Sequence, residues 1–118
     1  MKPKREIRGK ASVDMYLLDA IADDIEQFSD VIERLNGDRP TAWWRYRGAL
    51  FGHDEVVEGL SRLIQNDWAR VYLLTPGGDA LIELAPRALP PSSYTEAWFK
   101  ITPRGILAHS AWNPPRRE

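Results

Sequence analysis

The feature that most constrains the fold of this chain is an amphipathic segment at residues 54–65, followed by an aromatic and β-branched run at residues 68–74. In the first segment apolar residues recur at steps of three and four, which places them on one face of a helix. These residues are Val56, Val57, Leu60, Leu63 and Ile64. Acidic residues occupy the first turn, where negative charge complements the helix dipole, and the second run has the composition that strands prefer. We therefore predict a helix and a buried strand around which the rest of the chain packs.

Length and composition indicate a single domain. A chain of 118 residues buries roughly two-thirds of its unfolded surface, so it can fold without disulfides. The absence of cysteine excludes a disulfide framework, a thiolate nucleophile and a cysteine-based metal site. No apolar run approaches the ~20 residues of a membrane span, and the basic N-terminus lacks the apolar stretch of a signal peptide. We therefore expect a soluble cytoplasmic protein that has no membrane partner.

The net charge of −1 conceals an asymmetry along the chain. Residues 1–10 carry one carboxylate against five basic side chains, namely Lys2, Lys4, Arg5, Arg8 and Lys10. Residues 11–113 hold 9 basic and 15 acidic residues, a net charge of −6. A body of that sign matches a nucleic-acid backbone poorly, because such binding depends on cationic neutralisation of phosphates. We predict a flexible basic arm at residues 1–11, one domain at residues 12–113 and a tail at residues 114–118.

The first third of the chain has the apolar spacing of helices. Ser12 can cap a helix that starts at the next residue. Six apolar residues then follow a 3-4-3-4-3 spacing, and they are Leu18, Ile21, Ile25, Phe28, Ile32 and Leu35. Two arrangements fit this seam: one helix over residues 13–36, or two helices broken near residues 26–29, the second capped by Ser29 or Asp30. The seam is expected to fill the core of one domain, and a homodimer through it stays open.

The opposite face of this region is acidic, and we interpret it as a solvated helix face. It carries one arginine, Arg34, and seven carboxylates, those of Asp14, Asp19, Asp23, Asp24, Glu26, Asp30 and Glu33. Adjacent carboxylates on a helix diverge by about 100°, so they do not converge on one cation. The two histidines, His53 and His109, have no zinc-site spacing, and no serine lies in a nucleophile elbow. We therefore predict no metal site, no cofactor and no enzymatic activity.

Residues 41–47 combine aromatic and basic side chains in a segment that we predict to be extended. Side chains alternate along a strand, so its three large rings cannot all share one face. Aromatic residues interleaved with arginines suit a protein-interface hot spot or a stacking site for single-stranded nucleic acid. Filling of the core by these rings is an equal alternative. The candidate interaction residues are Trp43, Trp44, Arg45, Tyr46 and Arg47.

Turn signals divide the C-terminal half of the chain into short elements. The predicted elements are a turn at residues 75–79, a strand or a helical turn at 80–84, a loop at 85–93, a strand at 94–101 and a short helix at 106–112. Thr102 followed by Pro103 has the pattern of an N-cap and a first helical position. We therefore expect the closing helix to be entered at this pair.

Two stretches resemble the winged helix-turn-helix domain. Residues 55–71, EVVEGLSRLIQNDWARV, are similar to the third helix of that fold running into its first wing strand. Residues 97–105, AWFKITPRG, are similar to the last wing strand of many bacterial regulators. The resemblance covers about residues 13–112 and extends to a small uncharacterised bacterial family, which implies no known activity. It implies a winged-helix-like α+β fold, with helices in the N-terminal half, a small antiparallel β wing and a short C-terminal helix.

The helix that this resemblance assigns to DNA reading has the wrong charge for that role. Residues 53–67 carry one arginine against four carboxylates, whereas contacts to bases and phosphates depend chiefly on Arg, Lys, Asn and Gln. The connection from Leu35 to Asp54 also exceeds the 3–4-residue turn of a helix-turn-helix. We therefore predict a non-catalytic protein-interaction or regulatory adaptor that meets a protein partner through residues 43–47 and the acidic helix faces. The alternative is a DNA-binding regulator that uses Lys2, Lys4, Arg5, Arg8, Lys10, Arg62, Arg87 and Arg104.

Overall fold

A computed structural model of the chain describes residues 10–37 and 43–112, and for residues 10–12, 45 and 46 it describes the backbone only. Its helices are α1 (Lys10–Ala20), α2 (Phe28–Asn36), α3 (Trp44–Arg47), α4 (His53–Gln65) and α5 (Pro103–Ser110). Its strands are β1 (Glu26–Gln27), β2 (Ala69–Leu74), β3 (Leu81–Leu84) and β4 (Trp98–Ile101), and a 3-10 helix spans Pro91–Glu96. The fold is therefore α+β, with helices, an antiparallel sheet and a C-terminal helix.

The central helix and strand are confirmed. Four of the five residues on the predicted face of α4 are buried, namely Val56, Leu60, Leu63 and Ile64, while Val57 is partly buried. Asp67 adopts a φ of 62°, an uncommon backbone conformation that, among residues other than glycine, asparagine and aspartate tolerate best. It lies where the chain reverses between α4 and β2. Ala69 and Val71 of β2 then enter the core. This helix and strand form the centre against which α1 and the sheet pack.

The N-terminal apolar seam forms two helices, which decides between the two arrangements. The break covers residues 21–27 and ends in β1. The cap of α2 is Gln27, whose side-chain oxygen accepts a hydrogen bond from the backbone N–H of Ser29 at 3.1 Å. The predicted caps Ser29 and Asp30 were therefore wrong, because the chain enters α2 directly from a paired strand residue. The predicted start of α1 was also wrong, since the helix begins at Lys10, upstream of Ser12.

The sheet has the strand order β1-β4-β2-β3, and all of its pairings are antiparallel. The β2–β3 hairpin confirms the turn at residues 75–79 and shows that residues 80–84 contain a strand. Val71 pairs with Phe99, and both side chains are buried against the helices. Because side chains alternate along a strand, the neighbouring residues Tyr72 and Trp98 lie on the outer face.

The C-terminal strand is shorter than predicted, whereas the entry to the closing helix is confirmed. Residues 94–96, predicted as the start of the strand, instead end the 3-10 helix Pro91–Glu96, which begins at Pro91 because a proline suits the first position of a helical turn. Tyr94 is buried in this turn, so its burial does not require a strand. Thr102 caps α5 by accepting a hydrogen bond from the backbone N–H of Gly105 at 3.0 Å.

Candidate functional site

Arg47, one of the predicted interaction residues, is bound to its own chain. Its guanidinium donates to both carboxylate oxygens of Glu55, each at 2.8 Å. It also donates to the backbone oxygens of Ala49 at 2.9 Å and Leu50 at 2.6 Å, and it lies 3.8 Å from the ring centre of Phe51. The hydrogen bonds from Arg47 lower the pKa of Glu55. Arg47 therefore fixes the loop before α4. The segment itself forms a helical turn, closed by the Gly48 N–H donating to the Trp44 oxygen at 2.8 Å, so the predicted extended conformation was wrong.

Trp43 packs in an aromatic cluster between α1 and the end of α5. Its ring centre lies 5.4 Å from that of Tyr16 and 5.6 Å from that of Trp112. Its indole N–H donates to one carboxylate oxygen of Asp19 at 3.0 Å. The Nε2 atom of His109 lies 2.9 Å from the other oxygen. Trp43 therefore joins distant parts of the chain.

Among the remaining residues of the predicted interaction segment, no described side chain is exposed. Trp44 is partly buried against the core. The side chains of Arg45 and Tyr46 lie outside the described part of the structure. Within residues 43–47, the described side chains therefore serve the domain itself.

The predicted solvated acidic face was wrong at two of its positions. Asp14 is buried, and the guanidinium of Arg62 donates to its two carboxylate oxygens at 3.0 and 3.2 Å. Glu26 is also buried, at 3.2 Å from Arg34, and burial raises the pKa of this carboxyl. Each carboxylate lies where two elements meet and is bound there by an arginine. The guanidinium of Arg62, a candidate phosphate contact, is therefore occupied by Asp14 of α1.

Three neighbouring surface cavities of about 310, 430 and 460 Å³ lie between the loop before the 3-10 helix and the start of α5, and together we call them the groove. The first two share Ile64 and Arg87, and the last two share Asp67 and Arg70. The groove therefore follows the C-terminal end of α4 onto the outer face of the sheet.

The groove contains the basic side chains that form no ion pair within the described part of the chain. Its charged lining consists of Arg70, Arg87, Lys100 and Arg104 against Asp67 and Glu83. Arg70 forms ion pairs with both of these carboxylates. Within residues 10–37 and 43–112, Arg87, Lys100 and Arg104 form no ion pair, whereas the other arginines whose side chains are described are paired. The groove is therefore a local basic surface on an acidic body.

No family model, curated protein or solved structure significantly matches this chain. Among the described side chains, no cluster of three or more His, Cys, Asp or Glu residues could hold a metal ion. In the same part of the chain, every helix is too short or too polar to span a membrane.

The two cations at the α5 end of the groove differ in their surroundings. Lys100 lies directly opposite Arg70 in the β2–β4 register, and ion pairs with Asp67 and Glu83 already offset the charge of Arg70. Arg104 lies in the first turn of α5, where the helix dipole contributes partial positive charge. An anion beside Lys100 and Arg104 would therefore meet two cations that form no ion pair within the described residues.

The sequence predicted half of the basic lining of this groove. Arg87 and Arg104 were candidate nucleic-acid contacts, and the structure places both in the groove. Arg70 and Lys100 were missed, because only the pairing register puts them on one face and opposite each other. The signal available in the sequence was their period-two spacing from Tyr72 and Trp98. The other candidates, Lys2, Lys4, Arg5, Arg8 and the side chain of Lys10, lie outside the described residues.

Proposed function

We propose that this chain is a non-catalytic regulatory module on a winged-helix-like frame that binds nucleic acid through the basic groove. The observation that carries the proposal is the confinement of the unpaired cations Arg87, Lys100 and Arg104 to one groove. Arginine and lysine contacts to phosphates supply most of the sequence-independent affinity for nucleic acid. The order α1, α2, α4 and then the β2–β3 hairpin supports the winged-helix-like frame.

The groove changes which of the two sequence-based hypotheses is favoured. The adaptor hypothesis relied on residues 43–47, where Trp43 and Arg47 make contacts inside the domain. The nucleic-acid hypothesis does not need α4 to enter a duplex, since the groove lies at the end of that helix. This matters because Asp54 and Glu58 are exposed on α4 and would repel phosphates. The basic residues of the N-terminal arm would add further phosphate contacts.

The test is fluorescence anisotropy with a labelled single strand of about 20 nucleotides and the matching duplex. We expect binding at low salt that weakens as salt is raised. The double variant Lys100→Ala/Arg104→Ala should lose affinity about tenfold, because two phosphate contacts are removed. Absence of binding to both nucleic acids at low salt would overturn the proposal.

A matched control separates a local contact from a general charge effect. The double variant Ala49→Glu/Leu50→Glu changes the net charge by the same amount at exposed positions. These positions precede α4, so the length of the helix, about 20 Å, separates them from the end of the groove beside Gln65. We expect this control to bind almost as tightly as the wild type. Equal losses in the two double variants would remove the groove from the proposal.

A second candidate function, the protein adaptor, is favoured by the open edge of β3. Within the described residues this strand pairs with β2 alone. The Thr75 N–H donates to the Ala80 oxygen at 2.8 Å, so these two residues form a hydrogen-bonded pair. Hydrogen-bonded and non-hydrogen-bonded pairs alternate along an antiparallel ladder, and the backbone groups of Leu81 and Glu83 therefore point away from β2. Ile82 on the same strand is 52% exposed. An extended apolar segment of a partner could therefore add a strand at this edge.

The adaptor candidate is tested by crosslinking in a native extract, with sedimentation to detect self-association. Ile82→Lys places a charge at the open edge, whereas Leu107→Lys places one on α5 at a side chain that is 71% exposed. The adaptor candidate predicts that a crosslinked partner is lost with Ile82→Lys and kept with Leu107→Lys. Identical partners for both variants, or a monomer that captures none, would count against it.

A further inference from the structure

The outer face of the sheet carries two aromatic rings beside the basic groove. Tyr72 of β2 lies directly opposite Trp98 of β4, so the strand spacing places their Cβ atoms about 5 Å apart. Two residues further along the same strands, Arg70 lies opposite Lys100 on the same face. Because a strand rises about 3.3 Å per residue, roughly 7 Å separates the ring pair from the cation pair. A ring pair and a cation pair therefore form one surface.

Both rings are available to a ligand. Tyr72 and Trp98 are partly exposed, and neither contacts another aromatic ring within the described residues. In contrast, Tyr94 packs at 5.3 Å against Phe99 on the inner face of the same sheet. The Tyr72 hydroxyl donates a hydrogen bond to Oε1 of Glu83 at 3.4 Å. This bond holds the Tyr72 ring beside the groove.

This arrangement matches the chemistry of an unpaired nucleic-acid strand. Aromatic side chains on a sheet surface stack successive bases of a single strand, while neighbouring cations contact its phosphates. In a duplex the bases are paired and stacked on one another, so their faces cannot reach Tyr72 or Trp98. Reading the base sequence of a duplex requires a helix or a two-stranded β-ribbon in the major groove, and α4, the helix that the winged-helix resemblance assigns to this role, exposes Asp54 and Glu58.

We infer that the groove binds single-stranded nucleic acid, with bases stacked on Tyr72 and Trp98 and phosphates held by Lys100 and Arg104. This inference rests on the proposed nucleic-acid function and adds the form of the ligand. Stacking on an aromatic side chain contributes about 1–3 kcal/mol per base. The single strand should therefore bind at least about tenfold more tightly than the duplex of the same sequence.

The experiment compares the affinities of the wild type and of ring variants for both forms of nucleic acid. The double variant Tyr72→Leu/Trp98→Leu keeps apolar side chains but removes stacking, so single-strand affinity should fall about tenfold or more. Its duplex affinity should not change. The matched control Tyr72→Phe/Trp98→Phe keeps both rings and should retain single-strand affinity. Equal affinities of the wild type for strand and duplex would overturn the inference, and so would an unchanged affinity of the leucine variant.

A second measurement uses the wild-type protein and does not depend on how the variants fold. A single strand that contains 5-bromouracil is photo-crosslinked to the protein, and the attached peptide is sequenced. Crosslinks at Tyr72 or Trp98 are expected, and crosslinks found only outside β2 and β4 would overturn the stacking site. Duplex binding with no single-strand preference would leave the proposed function standing and remove this inference. Absence of binding to either form would remove both.

Discussion

Arg62 on α4 holds the buried carboxylate of Asp14 on α1 through a network of short contacts. Its Nε donates to both oxygens, and its Nη2 lies 2.8 Å from Oδ1. Asp14 is only 7% exposed, so it has lost most of its hydration and depends on the guanidinium. The pair connects two helices that pack closely.

Replacing Arg62 with alanine should leave Asp14 buried without its partner. We expect a loss of about 2 kcal/mol in the free energy of unfolding, between the values for exposed and fully buried pairs. Urea denaturation measures it, and Glu58→Ala on the exposed side of α4 is the control, expected within about 0.5 kcal/mol of wild type. Equal losses in the two variants would show that the pair is not structural. Folded Arg62→Ala should still bind nucleic acid, since Arg62 lies outside the groove.

Gly59 and Gly105 each lie against a neighbouring atom, and we expect replacement by alanine to lower the free energy of unfolding less at Gly59 than at Gly105. A Cβ at Gly59 would clash with Cδ1 of Leu17, and one at Gly105 would clash with the backbone oxygen of Trp68. The leucine side chain can rotate away, whereas the backbone oxygen cannot without moving the strand entry. We expect Gly59→Ala to cost about 1–2 kcal/mol, partly offset by helix propensity, and Gly105→Ala to cost about 3 kcal/mol or more. Chemical denaturation that ranked them in the reverse order would contradict this contact geometry.

Local signals in the sequence were sufficient for α4, β2 and the start of α5. Each depends on neighbouring residues, such as the apolar spacing of α4 or the Thr102 cap. The break between α1 and α2 was not decided, because one helix and two helices bury the same apolar seam. The role of Trp43 was not decided either, since its partner Asp19 is 24 residues away in sequence. His109 is 90 residues from that carboxylate, so no local pattern could bring these groups together.

The Trp43 indole N–H can be removed while an aromatic ring is kept at this position. Trp43→Phe should lose about 1 kcal/mol of stability, because the hydrogen bond to Asp19 disappears and the aromatic packing is reduced. Thermal unfolding measures the change, with Leu50→Ala at a nearby exposed position as the control. A surface hot spot would behave differently, with unchanged stability and weaker partner capture.

Acid should remove the stabilising contribution of Glu55. The hydrogen bonds from Arg47 hold the folded-state pKa of this carboxyl below its ordinary value of 4.5. A carboxyl whose pKa is lower in the folded than in the unfolded state stabilises the fold when it is ionised. This contribution is complete above pH 4.5 and is lost as the pH falls through the pKa of the folded state. The stability gap between wild type and Glu55→Gln should therefore be full at pH 7 and shrink below pH 4.5. Urea denaturation across this range measures the gap, and a constant gap would contradict the ionic contact.

The salt dependence of binding tests whether Lys100 contacts a phosphate directly. Each phosphate contact contributes about 0.7 to the slope of log affinity against log salt for a single strand. Lys100→Ala should therefore make the slope shallower by about 0.7, whereas Ala49→Glu, with the same change in net charge, should leave it nearly unchanged. Titrations at several salt concentrations measure the slopes. An unchanged slope would exclude Lys100 from the site even if affinity fell, because damage to the fold lowers affinity without releasing fewer counterions per bound molecule.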